Sequence, residues 1–570
     1  INKEVLISGK VSFFKNYYQI TNPTYVKLFE NKDEILKVFP KYSLTDGLGE
    51  KRYRKIINAT LKNIKGNDDW YSDEFLKKNS FNKIRETFEN LHSPQRRLDI
   101  HSNDQRRIAY DEIFSNLLML FKARKIIKVK RNNIKKISNK LIDKIILNFP
   151  YKLTNGQKRI LKELENDIAS KFRMFRIIQG DVGSGKTIIA FLLAAKIFHS
   201  KYQVAYMAPT EILANQQYEN ALKTFSNTGI TIEKLSSKTD NKKRIIKDLS
   251  DGKINLIIGT HSLFQKKIKF KKLGLVIIDE QHKFGVKQRL LLAKKGGNDC
   301  DVLLMSATPI PRTMMMSSYG DMDVSKLTEK PQDRKKIITL IKPEKKINEI
   351  IPLLKKQIQL NNQIYWVCPL IEESKKLKFS SATEKFKYIK KIFPNQVGLI
   401  HGNLNEKEKK IVIDNFINKK IKILVSTTVI EVGIDIPNAN TIIIEDANKF
   451  GLSQLHQLRG RVGRGKNESM CILLYKQNLS ENAKKRLRIL KSTNDGFVIA
   501  EEDLKLRGHG DLLGYQQSGL KSFKYADPIH HKDLFSLAED EIKKCKPDNI
   551  LEFKNLLKLY DKVEIVTDVV

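Results

Sequence analysis

Gly180-Asp181-Val182-Gly183-Ser184-Gly185-Lys186-Thr187 places glycines, a lysine and a threonine at the spacing that lets a backbone turn wrap a chain of phosphates. About ninety residues later, Asp279-Glu280-Gln281-His282 closes the apolar run Leu275-Val276-Ile277-Ile278. Backbone N–H groups of Gly180 to Gly185 and the start of a following helix can hold phosphate oxygens. Lys186 brings a point charge to the β and γ phosphates, and Thr187 a hydroxyl for Mg²⁺. Asp279, at a strand tip, can hold the same metal through water, and Glu280 is placed to orient an attacking water. The chemistry these residues imply is transfer of a terminal phosphoryl group to water. A glycine turn beside an unrelated acidic cluster would explain each half alone, but not both together.

These groups need a strand, a loop and a helix in that order. Phe175 to Gln179 reads as a short buried strand and Ile188 to Phe198 as a helix. From residue 146 the pattern alternates, with strands at Arg176–Gln179, Val204–Ala208, Leu256–Gly259, Leu275–Asp279 and Val302–Met305. A second series follows at Ile364–Cys368, Val397–His401, Ile421–Val425, Thr441–Glu445 and Met470–Leu474. Strands alternating with helices predict parallel sheets covered on both faces, so the fold class is α/β with two lobes, residues 146–330 and 331–478. Only the first carries a phosphate loop. Residues 1–45, punctuated by Gly9, Asn16 and Asn22-Pro23, read as a small β domain. Residues 46–145 read as a helical connector, with apolar positions at helical spacing from Arg107 to Arg124. Residues 479–535 combine a helical segment with a Gly-rich stretch from Arg507 to Gly519, and 536–570 form a charged helical tail.

A chain of 570 residues exceeds one ordinary core. Lys+Arg 105 against Asp+Glu 64 leaves +41, which points to a polyanionic partner, although Lys, Asn and Ile are abundant throughout and part of the excess reflects that bias. Cys300, Cys368, Cys471 and Cys545 lie far apart without CxxC pairing, which argues for reduced structural thiols. No apolar run reaches the length of a membrane span, and no signal sequence opens the chain. The expectation is a cytoplasmic protein. The start at Ile1, already inside a strand-like segment, reads as a chain lacking its true N-terminus.

Read in order, Leu153-Thr154-Asn155-Gly156-Gln157, the phosphate loop, Ala208-Pro209-Thr210-Glu211, Gly259-Thr260-His261, Asp279 to His282, Ser306-Ala307-Thr308, Ser426–Pro437 and Gln457–Arg464 resemble the motif set of superfamily 2 helicases. Gln157 offers an amide for an adenine edge. Ser306 and Thr308 can relay a change of phosphate state. Arg461 and Arg464, with Gln457 in the same motif, stand in the second lobe, where one can act as an arginine finger when the lobes close. Gly433 and Asp435 belong to the motif expected to meet the nucleotide from that side. Thr210-Glu211 also reads as a helix cap, and His261 and His401 as ordinary polar strand ends.

Four longer stretches narrow the resemblance: Gln179 to Thr187, Asp279 to Arg289, Ser306 to Thr313 and Thr427 to Pro437 are similar to the RecG family of bacterial branched-DNA helicases. That resemblance implies two RecA-like lobes, a partial OB-fold wedge over residues 1–45, ATP and Mg²⁺ as cofactors, and forks and Holliday junctions as partners. It places Phe14 and Tyr18 of the wedge on DNA, among Phe13, Phe14, Tyr17 and Tyr18, which would otherwise fill a small β core. Arg486, Arg507 and Gln517 map onto a helical-hairpin translocation motif, shared with the transcription-repair coupling factor Mfd, that couples lobe closure to duplex movement. His509, Lys283 and Asn403 depart from the family pattern, and Lys283 loses any bidentate arginine contact there. A single-stranded-DNA-binding protein is a further candidate partner, association with the bacterial nucleoid the expected setting, and a monomer the expected state. The rivals are an Mfd-like duplex translocase and a branched-DNA-binding protein with a silent motor.

Overall fold

The computed structural model describes residues 3–14, 16–23, 25–32, 36, 38–45, 47–63, 69–127, 130–149, 152–236, 239, 241–280, 295–307, 322–331, 336–369, 380–402, 404–427, 436, 438–463, 465, 467–476, 479–507, 523–544 and 553–560. Two compact units share the chain: residues 1–122 with 523–570, and residues 123–522.

In the first unit, β1 (Val5–Ser8) pairs antiparallel with β4 (Tyr25–Leu28), and β2 (Ser12–Phe14) with β3 (Tyr17–Gln19). Asn16 turns the β2–β3 hairpin at φ +69°, a conformation asparagine tolerates better than most side chains. Phe13 faces Tyr18 and Phe14 faces Tyr17 across this hairpin, yet all four remain 58–80% exposed. They do not fill a core. The long helix α1 (Asn103–Ile127) buries Tyr110 and Phe114 against Tyr71, Phe75 and Phe553. Its Glu112 carboxylate accepts the backbone N–H groups of Lys524, Tyr525 and Ala526 at 2.7, 2.8 and 2.9 Å, so chain segments some 412 residues apart join in one unit.

The second unit holds two fully parallel sheets. In the first, β5 (Phe175–Gly180), β6 (Gln203–Met207), β7 (Ile232–Leu235), β8 (Leu256–Gly259), β9 (Leu273–Ile278), β10 (Asp301–Ser306) and β11 (Asp323–Leu327) lie in the order β11-β5-β10-β9-β6-β8-β7. In the second, β12 (Ile337–Pro343), β13 (Gln363–Val367), β14 (Val397–Ile400), β15 (Ile423–Ser426), β16 (Ala439–Ile444) and β17 (Ser469–Tyr475) run β12-β17-β16-β13-β15-β14. Each sheet carries an apolar core on both faces, which is why β9 and β16 are buried along their whole length. Three strands were not legible in the sequence: β7, β11 and β12 are short or half-exposed and mix Lys, Ser or Glu into the pattern.

Residues 130–136, read from the sequence as part of the connector, are pinned to the first lobe instead. Arg131 and Lys135 converge on the buried Asp301 at 2.8 and 2.6 Å, and Lys130 bridges Phe172. After β17 come the helices α5 (Glu481–Ser492) and α6 (Gly496–Arg507), joined by the turn 493–495; Asp495 caps α6 by accepting the N–H of Phe497 at 2.8 Å. Cys300, Cys368 and Cys471 are buried and free. Among the described residues, no helix is long and apolar enough to cross a membrane.

Candidate functional site

The phosphate loop leaves β5 at Gly180 and enters helix α3 (Lys186–Phe198). Gly183 and Gly185 take φ +73° and +88°, which side chains other than glycine rarely adopt. Behind the loop lies α2 (Asn155–Ala169), whose capping Thr154 accepts the Gln157 N–H. The Gln157 amide, expected to meet adenine, here accepts the Thr154 N–H at 2.9 Å and donates to Ser184 O at 2.9 Å. A methyl group on Gly185 would stand 2.2 Å from that amide nitrogen, so Gln157 and the loop fix each other's place. Lys186 Nζ donates to Gly180 O at 2.7 Å and Asp181 O at 3.0 Å, and the buried Ser184 hydroxyl has no hydrogen-bond partner among the described residues. A buried orphan hydroxyl beside a lysine fits a phosphate group.

Asp279 follows β9 and is buried. Its Oδ2 accepts the Tyr206 hydroxyl at 3.0 Å and its Oδ1 the Glu280 N–H at 3.0 Å. Burial, then the charge of Glu280, pushes its carboxyl up to about 6, while Lys186 pulls the other way. A buried carboxyl whose charge is disfavoured by burial and by the carboxylate beside it makes a site that favours a cation. Glu280 holds a left-handed backbone at φ +49°, uncommon for a side chain of its size, and accepts the Ala307 N–H at 3.5 Å. Ser306, buried, ends the neighbouring β10. Glu280 is thereby aimed back at the Ser306-Ala307 segment.

The second lobe reaches this loop through α4 (Leu452–Arg459). His456 Nε2 lies 2.6 Å from Asp181 Oδ1, and a Cβ on Gly460 would stand 2.8 Å from that of Val182, so only glycine allows this approach. Lys330, on the segment between the sheets, bonds Asp181 Oδ2 at 2.6 Å. Burial alone would raise the Asp181 carboxyl, but His456 and then Lys330 override it and hold it well below the usual carboxylate range. Gln457 follows His456 in sequence and the buried Arg461 follows Gly460. Arg486, on α5, donates to Phe450 O at 2.9 Å and Asn448 O at 3.2 Å, the turn that leads into α4. Thr187 opens α3 beside Tyr206, and Phe14 and Tyr18 stand exposed on their hairpin.

Thus the structure gathers Gln157, the loop from Gly180 to Thr187, Asp279, Glu280 and Ser306 in the first lobe. Thr308, Gly433, Asp435, Arg464 and Gln517, with the departures Lys283, Asn403 and His509, lie outside the described residues, as does the side chain of Arg507. Tyr206, Lys330, His456 and Arg459 escaped the sequence reading. His456 and Arg459 flank the motif glutamine Gln457, a local signal, but Tyr206 and Lys330 carry none.

Comparison with known proteins agrees with this geometry. Residues 154–316 match the DEAD/DEAH box helicase family, 342–466 the helicase conserved C-terminal domain, and 493–553 the family described as ATP-dependent DNA helicase RecG, domain 3, C-terminal. The chain is 40% identical over 566 residues to an ATP-dependent DNA helicase RecG of Thermotoga maritima, covering 98% of this chain and 72% of the relative. To that of Escherichia coli K12 it is 40% identical over 513 residues, covering 87% and 73%. A solved structure of RecG bound to a three-way DNA junction superposes with TM-score 0.69 at 37% identity, over 94% of this chain and 71% of that one. Two parallel-sheet lobes are common to many helicases, but 40% identity that runs through nearly the whole chain, with the RecG domain over 493–553 included, shows the family: the chain belongs to the RecG family of ATP-dependent DNA helicases.

Proposed function

We propose that this helicase uses ATP hydrolysis to drive branched duplex DNA, forks and Holliday junctions, past the α5–α6 hairpin while the β2–β3 hairpin sits at the branch. The observation that carries the reading is the closeness of Gly460 to Val182, which brings the second lobe against the phosphate loop. In this reading Lys186 exchanges the carbonyls of Gly180 and Asp181 for the β and γ phosphates. Gln157 exchanges Ser184 O for the adenine edge. Glu280 orients the water that attacks the terminal phosphorus, and Thr187 with Asp279 would hold Mg²⁺, which offsets phosphate charge when bound. Arg461 or Arg464 meets the charge that develops on the transferred group, an effect of about 10³–10⁵ in rate where such fingers have been measured. Gly433 and Asp435 approach from the same lobe, and Ser306 and Thr308 relay the phosphate state.

The exposed aromatic rings of Phe14 and Tyr18 support stacking on bases opened at the branch, worth about 1–3 kcal/mol per base. Both lobes lie in one chain, so a monomer suffices, and a cytoplasmic setting at the bacterial nucleoid follows from the substrate. The test is a pair of variants. Lys186→Ala and Glu280→Gln should each abolish junction-stimulated ATP hydrolysis while junction binding, followed by gel shift, stays close to wild type. Turnover retained in both variants would remove the assignment.

A further inference from the structure

Apart from the groups assigned to phosphate, metal and water, five polar links in the motor unit close on themselves. Asp181 Oδ1 meets His456 Nε2 at 2.6 Å, and His456 Nδ1 meets Arg459 Nη2 at 3.0 Å. Arg459 Nη1 donates to Thr493 O at 2.9 Å and to Leu490 O at 2.5 Å. The next residue along, Asn494, accepts Lys330 Nζ on its carbonyl at 3.1 Å, and Lys330 Nζ returns to Asp181 Oδ2 at 2.6 Å. The ring therefore joins the phosphate loop, the segment between the sheets, helix α4 and the turn between α5 and α6.

Its donor and acceptor pattern is fixed by elementary chemistry. A guanidinium has donors only, so the His456 Nδ1 beside Arg459 must accept, and the ring proton stands on Nε2, directed at Asp181. His456 and Arg459 are 5% and 1% exposed, which removes water as a substitute partner. Asp181 is itself stiffly held, because its Oδ1 also accepts the Val182 N–H at 2.8 Å. Its backbone carbonyl is one of the two that hold Lys186 Nζ. A shift of the turn 493–495 thus passes through Arg459, His456 and Asp181 to the lysine of the phosphate loop. The hairpin has a second hold on α4, since Ser453 Oγ donates to Asp503 Oδ2 at 2.6 Å, so the two helices cannot move without moving α4.

We infer that His456, Arg459 and Lys330 are positioning residues of a DNA-responsive latch, through which the hairpin turn sets the geometry of the phosphate loop by way of Asp181. The inference rests on the proposed DNA-driven ATPase. None of the three needs to touch nucleotide: the latch makes turnover answer to the hairpin, and its loss leaves a motor that hydrolyses ATP without hearing the DNA.

The variants His456→Gln and His456→Asn separate this role from a merely structural one. Glutamine sets an amide nitrogen where ring Nε2 stood, whereas asparagine is one carbon shorter and leaves Asp181 out of reach. ATP turnover is measured on the full chain with and without a synthetic three-way junction. For His456→Asn, DNA-free turnover should stay within about twofold of wild type while junction stimulation falls about tenfold or more; His456→Gln should keep most of the stimulation. Lys330→Met, at a position 36% exposed in its side chain where folding is not at stake, should lose stimulation in the same direction. The double variant His456→Asn/Lys330→Met should be no worse than the poorer single one, because both cut one ring. Full stimulation in both His456→Asn and Lys330→Met overturns the latch. So does an equal loss in His456→Gln and His456→Asn, or a fall of DNA-free turnover in proportion. Wild-type turnover that ignores the junction would defeat the proposed function, and the latch with it.

Discussion

Gly460 shows how much one missing methyl group can decide. With a Cβ there, the second lobe would meet the Cβ of Val182 at 2.8 Å, and neither atom belongs to a flexible side-chain end. Gly460→Ala should therefore hold α4 and Arg461 away from the phosphate loop and lower junction-stimulated turnover by up to about a hundredfold, with a smaller change in ATP affinity. Steady-state kinetics that show only a weaker KM would refute that account. Arg464→Ala tests the finger itself, with turnover expected to fall by about two orders of magnitude or more. An equal loss of nucleotide binding with turnover unchanged would count against it. At this scale the sequence was most informative where the chemistry is local: the glycines, Lys186, Thr187, Asp279 and Glu280 announce themselves by spacing within a few residues. It was silent where partners meet through the fold, as with Asp181 and His456, 275 residues apart, or Tyr206 and Asp279, 73 apart. Gln157 was recognised from its motif, but its hold on Ser184 O was not, since nothing in a motif says which of two partners an amide takes.

Among the elements, the buried strands were legible because a strand covered on both faces is a continuous apolar run, as in β9 with Leu273–Ile278. The outer strands β7, β11 and β12 interrupt their apolar residues with polar ones, Glu233 and Lys234, Asp323, Ser325 and Lys326, Thr339 and Lys342, and lack that signal. The α5–α6 hairpin was placed by its resemblance, and Arg486 gives it a physical attachment to the turn before α4. On the proposed reading, Arg507 and Gln517 share this coupling role. Gln517→Ala or Arg507→Ala should leave junction-stimulated hydrolysis substantial while branch migration on the same junction falls sharply. A proportional fall of both would mean these residues serve folding or DNA binding instead.

For the molecule as a whole, the unit built from residues 1–122 and 523–570 was the least legible feature, because no local pattern tells a helix that its partner lies hundreds of residues downstream. Glu112 is the residue on which that partnership turns. Glu112→Ala would strand three backbone N–H groups, of which that of Ala526 is buried, and at about 1–3 kcal/mol for a buried group left unpaired the 523–560 segment should lose part of its hold. Hydrogen exchange should then rise across 523–544 and 553–560 with the sheets of the motor unchanged; equal protection in the variant would exclude the anchor. The same connectivity dictates an order of assembly. On a ribosome adding about 5–20 residues per second, the intervening residues 123–522 occupy roughly 20–80 s. Through that interval the aromatic face of α1, Tyr110 and Phe114, has been made but Phe553 has not. The motor can fold on its own schedule, whereas the unit that carries the β2–β3 hairpin must wait for residues 523–560, leaving a sticky helix in the keeping of chaperones until they emerge.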